Sequence, residues 1–127
     1  MDSILTSIIV SPMDAVTGRQ VFRMDNAGRW ILATGRGTLA LAVCGGLERA
    51  SSGMRTMLVS CTSGTIVPIL ADGTVDEPCW LTVSEIPGAV GKARKGEMLC
   101  GYALENDGGR VGAVIQMLCD RGPGRKA

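Results

Sequence analysis

The sequence predicts an all-β protein, a small glycine-rich β-barrel or sandwich with an extended N-terminal arm. The chain has 127 residues, enough for one domain that buries a core without disulfides. Eighteen of these residues are glycine, about twice the usual share of roughly 7%. Short segments rich in Val, Ile, Thr and Leu alternate with glycine turns, and few windows show helical periodicity. The spacing of these segments predicts about eight or nine strands.

The N-terminal part of the chain contains the first predicted strands. Residues 3–10 are an extended arm or strand. Residues 20–24 and 29–34 are apolar runs on either side of residues 25–28 (DNAG), whose composition is typical of a turn between two strands. Residues 37–44 are almost continuously apolar, which predicts a strand buried on both faces or at a subunit contact.

Five further segments complete the predicted strands: residues 54–60, 65–70, 79–83, 97–104 and 110–119. Pro68 cannot donate to a β-ladder, which predicts an edge position or a bulge for its strand. The last two segments flank residues 105–109 (ENDGG), a sequence that favours the positive φ angles of a hairpin turn. Residues 89–95 are compatible with one short helical turn, but the glycines around them argue against it.

The domain organisation follows from composition. We predict an N-terminal arm at residues 1–12, one β domain at residues 13–119 and a flexible tail at residues 120–127, which lack an apolar anchor. The acidic Asp2 stands where a signal peptide needs basic residues. No stretch approaches the roughly 20 apolar residues of a membrane helix, so we expect no membrane partner. The mean hydropathy of +0.24 is high for a monomer and predicts an apolar surface covered in an oligomer.

The composition offers little support for a catalytic site. The chain has no histidine, the commonest general base and metal ligand. Its cysteines stand singly, without the close pairs of a zinc site, and are expected to be reduced thiols that pack as small apolar residues. They are Cys44, Cys61, Cys79, Cys100 and Cys119. The densest carboxylates are interpreted as turn and rim residues: Asp72, Asp76, Glu77 and Glu85. We expect no enzyme, no cofactor and no metal.

Two glycine-rich stretches, residues 34–38 (TGRGT) and 44–46 (CGG), have the composition of phosphate-binding loops. Such loops place their glycines between a strand and the N-terminus of a helix, where free N–H groups contact phosphate. Strand-like sequence follows Gly37, and neither stretch ends in Gly-Lys-Ser/Thr. Both are therefore interpreted as turns.

The charge of the chain is nearly balanced. Thirteen basic and twelve acidic side chains give a net charge of +1, too little to steer the whole molecule toward nucleic acid. Basic residues cluster at positions 92–95 and in the C-terminal tail, at Arg121, Arg125 and Lys126. One alternative function is a nucleic-acid-binding barrel that uses Lys92, Arg94, Lys95 and Tyr102, although such binders combine a basic groove with more aromatic side chains.

The order of elements over residues 40–118 resembles a known family. The matching segments, in order, are residues 42–46 (AVCGG), 47–53 (LERASSG), 54–59 (MRTMLV), 63–70 (SGTIVPIL), 77–83 (EPCWLTV), 95–105 (KGEMLCGYALE) and 109–118 (GRVGAVIQML). This succession of apolar strand, glycine turn and alternating final strand resembles the small decoration, or cement, proteins of tailed-phage capsids. The local match is strongest at residues 99–104 and the strand that follows them.

The resemblance implies a non-enzymatic, mainly β protein that forms a trimer and binds the outside of an icosahedral shell. Its partners would be the major capsid protein and further copies of itself, and it would be made in the host cytoplasm. In similar proteins an N-terminal arm reaches the capsid and can add a strand to it. By order alone that arm corresponds to Ser3, Ile4, Leu5, Thr6, Ser7, Ile8, Ile9 and Val10.

Four residues are candidates for the contact between subunits. Trp30 and Trp80 are proposed because tryptophan is enriched among interface anchors. Leu39 and Leu41 lie in the apolar run at residues 37–44. A further alternative is a structural role elsewhere in a virion, in a tail tube or connector ring.

Overall fold

The computed structural model describes residues 4–10, 19–38, 42–50, 53–61 and 63–120. For residues 4–10, 42–50 and 53–59 the description concerns the strands and their pairing. The regular secondary structure in these ranges consists of β-strands alone, which confirms the predicted all-β fold class. The strands are β1 (Ile4–Val10), β2 (Val21–Met24), β3 (Trp30–Leu32), β4 (Ala42–Ala50), β5 (Gly53–Ser60), β6 (Ile66–Asp72), β7 (Trp80–Val83), β8 (Val90–Lys92), β9 (Gly101–Ala103) and β10 (Val111–Leu118).

The strands form two sheets that divide the chain near its middle. The first is an open sheet with the order β1-β5-β4-β2-β3, in which every neighbouring pair is antiparallel. The second is a closed barrel with the order β10-β6-β8-β7-β9. Its β6–β8 pair is parallel and its other described pairs are antiparallel. Of the predicted barrel or sandwich, the barrel is present in the C-terminal half.

The predicted turn at residues 25–28 is confirmed as the β2–β3 connection. The Asp25 N–H donates to the Arg29 carbonyl at 2.8 Å, and the Gly28 N–H donates to the Asp25 carbonyl at 3.1 Å. The Asp25 carboxylate also accepts the N–H groups of Ala27 and Arg29. These bonds to the charged form, above all the one from the Arg29 N–H, lower the pKa of Asp25.

The fourth strand begins and ends later than the sequence predicted. The apolar run at residues 37–44 was expected to be one strand ending before a turn at Cys44-Gly45-Gly46. Instead β4 continues through both glycines to Ala50, and its register with β5 shifts between Cys44 and Leu47. The shift is a bulge or irregularity, which absorbs residues that lack a side chain without ending the strand.

Pro68 lies in the part of β6 that has a strand neighbour on one side. β6 pairs with β10 along its length but with β8 only at Ala71, opposite Val90. The Leu70 N–H donates to the Arg19 carbonyl at 2.8 Å, away from β10. Because N–H direction alternates along a strand, the Pro68 nitrogen points the same way as that of Leu70. The predicted edge character is therefore correct locally, although β6 as a whole is an interior strand of the barrel.

Two features of the barrel differ from the sequence prediction. Residues 89–95 contain β8, a strand that was not expected because the glycines concealed its short pattern. In addition, β9 and β10 do not form a tight hairpin, since β9 pairs only with the last residues of β10. The first residues of β10 pair with β6.

A buried carboxylate explains the wide β9–β10 connection. The Asp107 side chain is 2% exposed. Its Oδ2 accepts the Val75 N–H at 3.0 Å, and its own N–H donates to the Val75 carbonyl at 2.8 Å. Its Oδ1 accepts the Gly109 N–H at 2.8 Å. The loop is thus bound to the connection between β6 and β7 instead of closing directly on itself.

The core lies inside the barrel and extends to the β2–β3 hairpin. Its largest fully buried barrel side chains include Ile69, Leu81, Ile115 and Met117. Val21 and Ala33, from the strand β2 and the residue after β3, belong to the same buried cluster. The core therefore ties the inner end of the open sheet to the barrel.

Backbone hydrogen bonds through Gly88 reinforce this junction. The Val21 N–H donates to the Gly88 carbonyl at 2.9 Å, and the Gly88 N–H donates to the Ala33 carbonyl at 2.8 Å. Gly88 has a φ of +80°, and a Cβ there would lie 2.9 Å from Cβ of Gln20. A residue with a side chain would therefore be strained and crowded at this position.

Candidate interaction surfaces

Strand β1 carries most of the predicted capsid-binding arm. Its register with β5 runs from Ile4 opposite Val59 to Val10 opposite Met54. β1 stands at one end of the sheet order, so β5 is its strand neighbour and its second edge faces no strand of the described chain. Ser3 and residues 11–18 lie outside the described residues. The arm predicted at residues 1–12 is thus, over residues 4–10, an edge strand of the open sheet.

Trp30 lies on the opposite edge of the open sheet. It is half-buried in β3 and pairs with Met24 of β2. Together with Phe22, Ile31 and Leu32 it lines a shallow cavity of about 100 Å³. Leu39 and Leu41, the other residues proposed from this region for a subunit contact, lie outside the described residues.

Trp80 lies on the outside of the barrel, against Tyr102. The two rings meet edge to face with centroids 5.1 Å apart, and the residues are register partners in β7 and β9. Trp80 and Trp30 therefore belong to different sheets. The tryptophans proposed for a subunit contact therefore lie on two separate surfaces.

An apolar surface surrounds the Trp80–Tyr102 pair. Register links Tyr102 to Leu118 and Leu118 to Ile66, so these side chains share the outer face of the barrel. The neighbouring outward positions of β10 and of β6 up to Leu70, together with Leu104 after β9, are also uncharged, and the charged Asp72 ends β6 beyond them. We call this surface the barrel band; it consists of Ile66, Pro68, Leu70, Trp80, Tyr102, Leu104, Val114, Gln116 and Leu118. The sequence signal for it was the lack of polar alternation in β6 and β10.

Acidic neighbours compensate the predicted basic cluster in part. Lys92 Nζ lies 3.0 Å from Asp76 Oδ1 and 3.3 Å from Glu77 Oε1. The hydrogen bond to Asp76, followed by that to Glu77, raises the pKa of Lys92, and the same Lys92 bond lowers the pKa of Asp76. Arg94 and Lys95 are exposed. The tail residues Arg121, Arg125 and Lys126 lie outside the described residues.

Two adjoining polar clefts, of about 330 and 300 Å³, share Arg36, Thr74 and Arg94. Arg36 Nη2 donates to the Lys92 carbonyl at 2.7 Å. Its Nε lies 3.1 Å from Glu97 Oε2, a charge contact without the angle of a hydrogen bond. The guanidinium is thus held by the protein's own acceptors, which favours a structural role for Arg36.

The floor of the second cleft is an internal hydrogen-bond network. Asp72 Oδ2 accepts the Ser84 hydroxyl at 2.7 Å, and Asp72 Oδ1 accepts the Thr74 hydroxyl at 2.6 Å. The Ser84 oxygen in turn accepts the Ile86 N–H at 3.2 Å. These partners make Ser84 and Asp72 links between β6, β7 and their loops, in agreement with the interpretation of Asp72 as a turn residue.

The described thiols occupy strand ends. Cys61, Cys100 and Cys119 are buried, Cys79 is half-buried, and none of these four cysteines forms a disulfide. Burial raises the pKa of Cys79 and raises that of Cys119 to about 11, although a hydrogen bond with Ser63 offsets part of the latter shift. Within the described ranges, no group of His, Cys, Asp and Glu side chains is placed to hold a metal ion.

Comparison with known proteins gives no match to this chain. No family model, no curated protein and no solved structure matches the chain. In the described part of the chain, no helix is long and apolar enough to span a membrane. The candidate surfaces are therefore interpreted from their own residues, and the two strongest are the open edge of β1 and the barrel band.

Proposed function

We propose that this chain is a structural virion protein that binds the outer surface of a phage capsid and stabilises it, as a homotrimer. The observation that carries the proposal is the position of β1. Its second edge faces no strand of the described residues, and a strand of another protein can add to the N–H and C=O groups of such an edge. The resemblance of residues 40–118 to capsid decoration proteins supplies the partner class.

The chemistry of the described surfaces supports a binding role. Lys92 is paired with carboxylates, Arg36 is held by protein acceptors, and Ser84 links a turn. Near-neutral charge limits repulsion between copies packed closely on one shell. Many weak contacts repeated across a shell can also bind tightly through avidity.

The test is co-sedimentation of the purified protein with undecorated, expanded capsids. We expect the full chain to sediment with the shells and a variant lacking residues 1–12 to remain in solution. Failure of the full chain to bind any shell would refute the proposal. Binding at the tail tube or connector, seen by particle imaging, would instead favour the alternative location in the virion.

A proline pair tests strand addition more directly. Neighbouring N–H groups of a strand point to opposite edges, so of Ser7→Pro and Ile8→Pro one removes a donor facing β5 and the other a donor at the open edge. We expect the open-edge proline to keep the wild-type melting temperature and lose shell binding. If the variant with wild-type stability still binds as wild type, β1 does not add to a capsid strand.

The nucleic-acid alternative has its own measurement. Because Lys92 is already paired with Asp76 and Glu77, few basic side chains remain for phosphate contacts near Tyr102. A phosphate-binding function predicts affinity for a single-stranded oligonucleotide that falls steeply between about 50 and 200 mM salt. We expect no binding at the lower concentration, and tight, salt-dependent binding would favour the alternative.

A further inference from the structure

The barrel band breaks the usual alternation of a barrel wall. Strands with one face in water alternate apolar and polar residues, whereas strands covered on both faces are apolar throughout. Inward residues of β6 and β10, such as Ile69 and Ile115, are fully buried. Five outward residues of the same strands, Ile66, Pro68, Leu70, Val114 and Leu118, are also apolar, although Ile66 is 57% exposed and Val114 is 39% exposed. The polar outward residues are Gln116 and, at the end of β6, Asp72. These two strands therefore have the composition of strands whose outer face is covered.

The band is also continuous and aromatic at one end. Trp80, Tyr102, Leu118 and Ile66 are successive register partners across β7, β9, β10 and β6. Trp and Tyr are the residue types most enriched among interface anchors. With strands about 4.8 Å and residues about 3.3 Å apart, the band measures roughly 20 by 15 Å. This footprint of about 300 Å² is less than half of the roughly 800 Å² that each partner buries in a standard interface, so the band would form the apolar centre of a contact whose rim lies outside it.

The charge pattern of the band fits another copy of the same surface. A strongly charged surface would repel its own copy, whereas no residue of the barrel band carries a charge. Its polar member, Gln116, is exposed and lies between Leu104 and Pro68. An amide both donates and accepts hydrogen bonds, so the Gln116 side chains of a homotrimer can bond to one another around its three-fold axis.

We infer that further copies of this chain cover the barrel band in the homotrimer, with Trp80, Tyr102, Ile66 and Val114 in the contact and Gln116 facing its counterparts at the three-fold axis. The inference rests on the proposed function in one respect, the self-association of the chain. It assigns the interface to the barrel and leaves the open edge of β1 available for the capsid. Trp30, on the other sheet, lies outside this interface.

The experiment compares two double variants with the wild type. Ile66→Lys with Val114→Lys places two charges in the band. Met24→Lys with Ile86→Lys is the matched control, because these side chains are 41% and 40% exposed and lie outside the band. Molar mass is measured by light scattering over a wide range of protein concentration, circular dichroism reports folding, and shell binding is measured in parallel.

We expect the wild type and the control to form the same oligomer. The band variant should dissociate with a constant at least about 30-fold higher, the effect of losing an interface hot spot. A wild type that is monomeric at every concentration would overturn the inference, as would a folded band variant that keeps the wild-type mass. Loss of shell binding by the band variant at unchanged mass would assign the band to the capsid and also overturn it.

A second variant protects the test against misfolding of the first. Gln116→Glu changes one exposed group and places like charges opposite each other in the proposed contact. Self-association should be weaker at neutral pH and recover as the pH falls below the usual carboxyl pKa of about 4.3. Wild-type association of this variant at neutral pH would contradict the inference. Self-association without shell binding would refute the proposed capsid function and leave the inference standing.

Discussion

The open sheet and the barrel each use five strands, but they treat their edges differently. In the barrel, the order β10-β6-β8-β7-β9 closes on itself, so each strand has a neighbour on both sides. In the open sheet, β1 and β3 end the order. An edge strand offers unpaired backbone groups to other chains, whereas closure removes the edges.

This difference separates two kinds of surface in one small protein. The barrel contains most of the described core and presents a side-chain surface, the barrel band. The open sheet is tied to that core near Val21 and Ala33 and presents a backbone edge at β1. The two proposals follow this difference: contacts between copies are proposed for the side-chain surface of the barrel, and strand addition is proposed for the backbone edge of the open sheet.

The largest effect is expected from a cavity in the barrel. Ile115→Ala removes a fully buried side chain and should lower the free energy of unfolding by about 2–5 kcal/mol. Val111→Ala, in the same strand at a position 69% exposed, is the control and should change it by less than about 0.5 kcal/mol. Urea unfolding measures both. Equal effects of the two substitutions would contradict the assignment of the core to the barrel interior.

A smaller loss is expected where the β9–β10 loop is bound to the barrel. Asp107→Ala leaves the buried Val75 N–H without its carboxylate acceptor and should cost about 1–3 kcal/mol. Asn106→Ala removes an exposed bond to the Gly108 N–H and should cost much less. Chemical denaturation of both variants checks the difference. If Asp107→Ala is as stable as the wild type, the loop does not depend on this carboxylate.

The junction between the two sheets is the next target. Gly88→Ala should cost about 1–2 kcal/mol, because its left-handed backbone and the nearby Gln20 disfavour a side chain. Gly96 has a φ of +86° and open space around a Cβ, so Gly96→Ala should lower the free energy of unfolding only by the contribution of backbone strain.

Single-tryptophan backgrounds can then report each sheet separately. Trp80→Phe leaves Trp30 as the reporter of the open sheet, and Trp30→Phe leaves Trp80 as the reporter of the barrel. In Gly88→Ala we expect the Trp30 transition to precede that of Trp80. Coincident transitions in every variant would mean that the two sheets unfold as one unit.

The effect expected to be smallest at neutral pH is that of a buried thiol, because it appears only when the solution is alkaline. Burial raises the pKa of Cys119 from 9.0 to about 11, so the unfolded chain releases its proton at lower pH than the folded one. Stability from this group is complete below pH 9 and is lost as the pH rises toward 11. Stability measured across that window should fall less steeply in Cys119→Ala. Parallel curves for the variant and the wild type would contradict the pKa shift.

The strands that could be predicted are those with local signals. Asp25 to Gly28 form a turn through bonds within a few residues, so composition alone located the β2–β3 hairpin. β8 was missed because it is short and its central Gly91 hides the pattern; its neighbours β6 and β7 are needed to define it. Likewise, the route of the β9–β10 connection depends on Asp107 and Val75, which are far apart in sequence.

For the candidate surfaces too, some features could be predicted from local sequence and others depend on the arrangement of the strands. Local apolar pattern predicted an extended arm or strand at residues 3–10, and the resemblance to decoration proteins implied its contact with a capsid. Residue type alone made Trp80 a candidate interface residue. Strand order places β1 at an edge of its sheet. Register between strands places Trp80 beside Tyr102, and Tyr102 beside Leu118, in the barrel band.

The sequence by itself determined an all-β chain with glycine turns, single cysteines and few groups for catalysis. Alternation and turn composition are properties of neighbouring residues, and a missing residue type is a property of the composition. All three can therefore be recognised without knowledge of tertiary contacts. Only the tertiary structure decided that five strands close into a barrel while five remain open. Closure depends on hydrogen bonds between segments distant in sequence, such as the parallel contact of Ala71 with Val90, and no local pattern encodes such a partner.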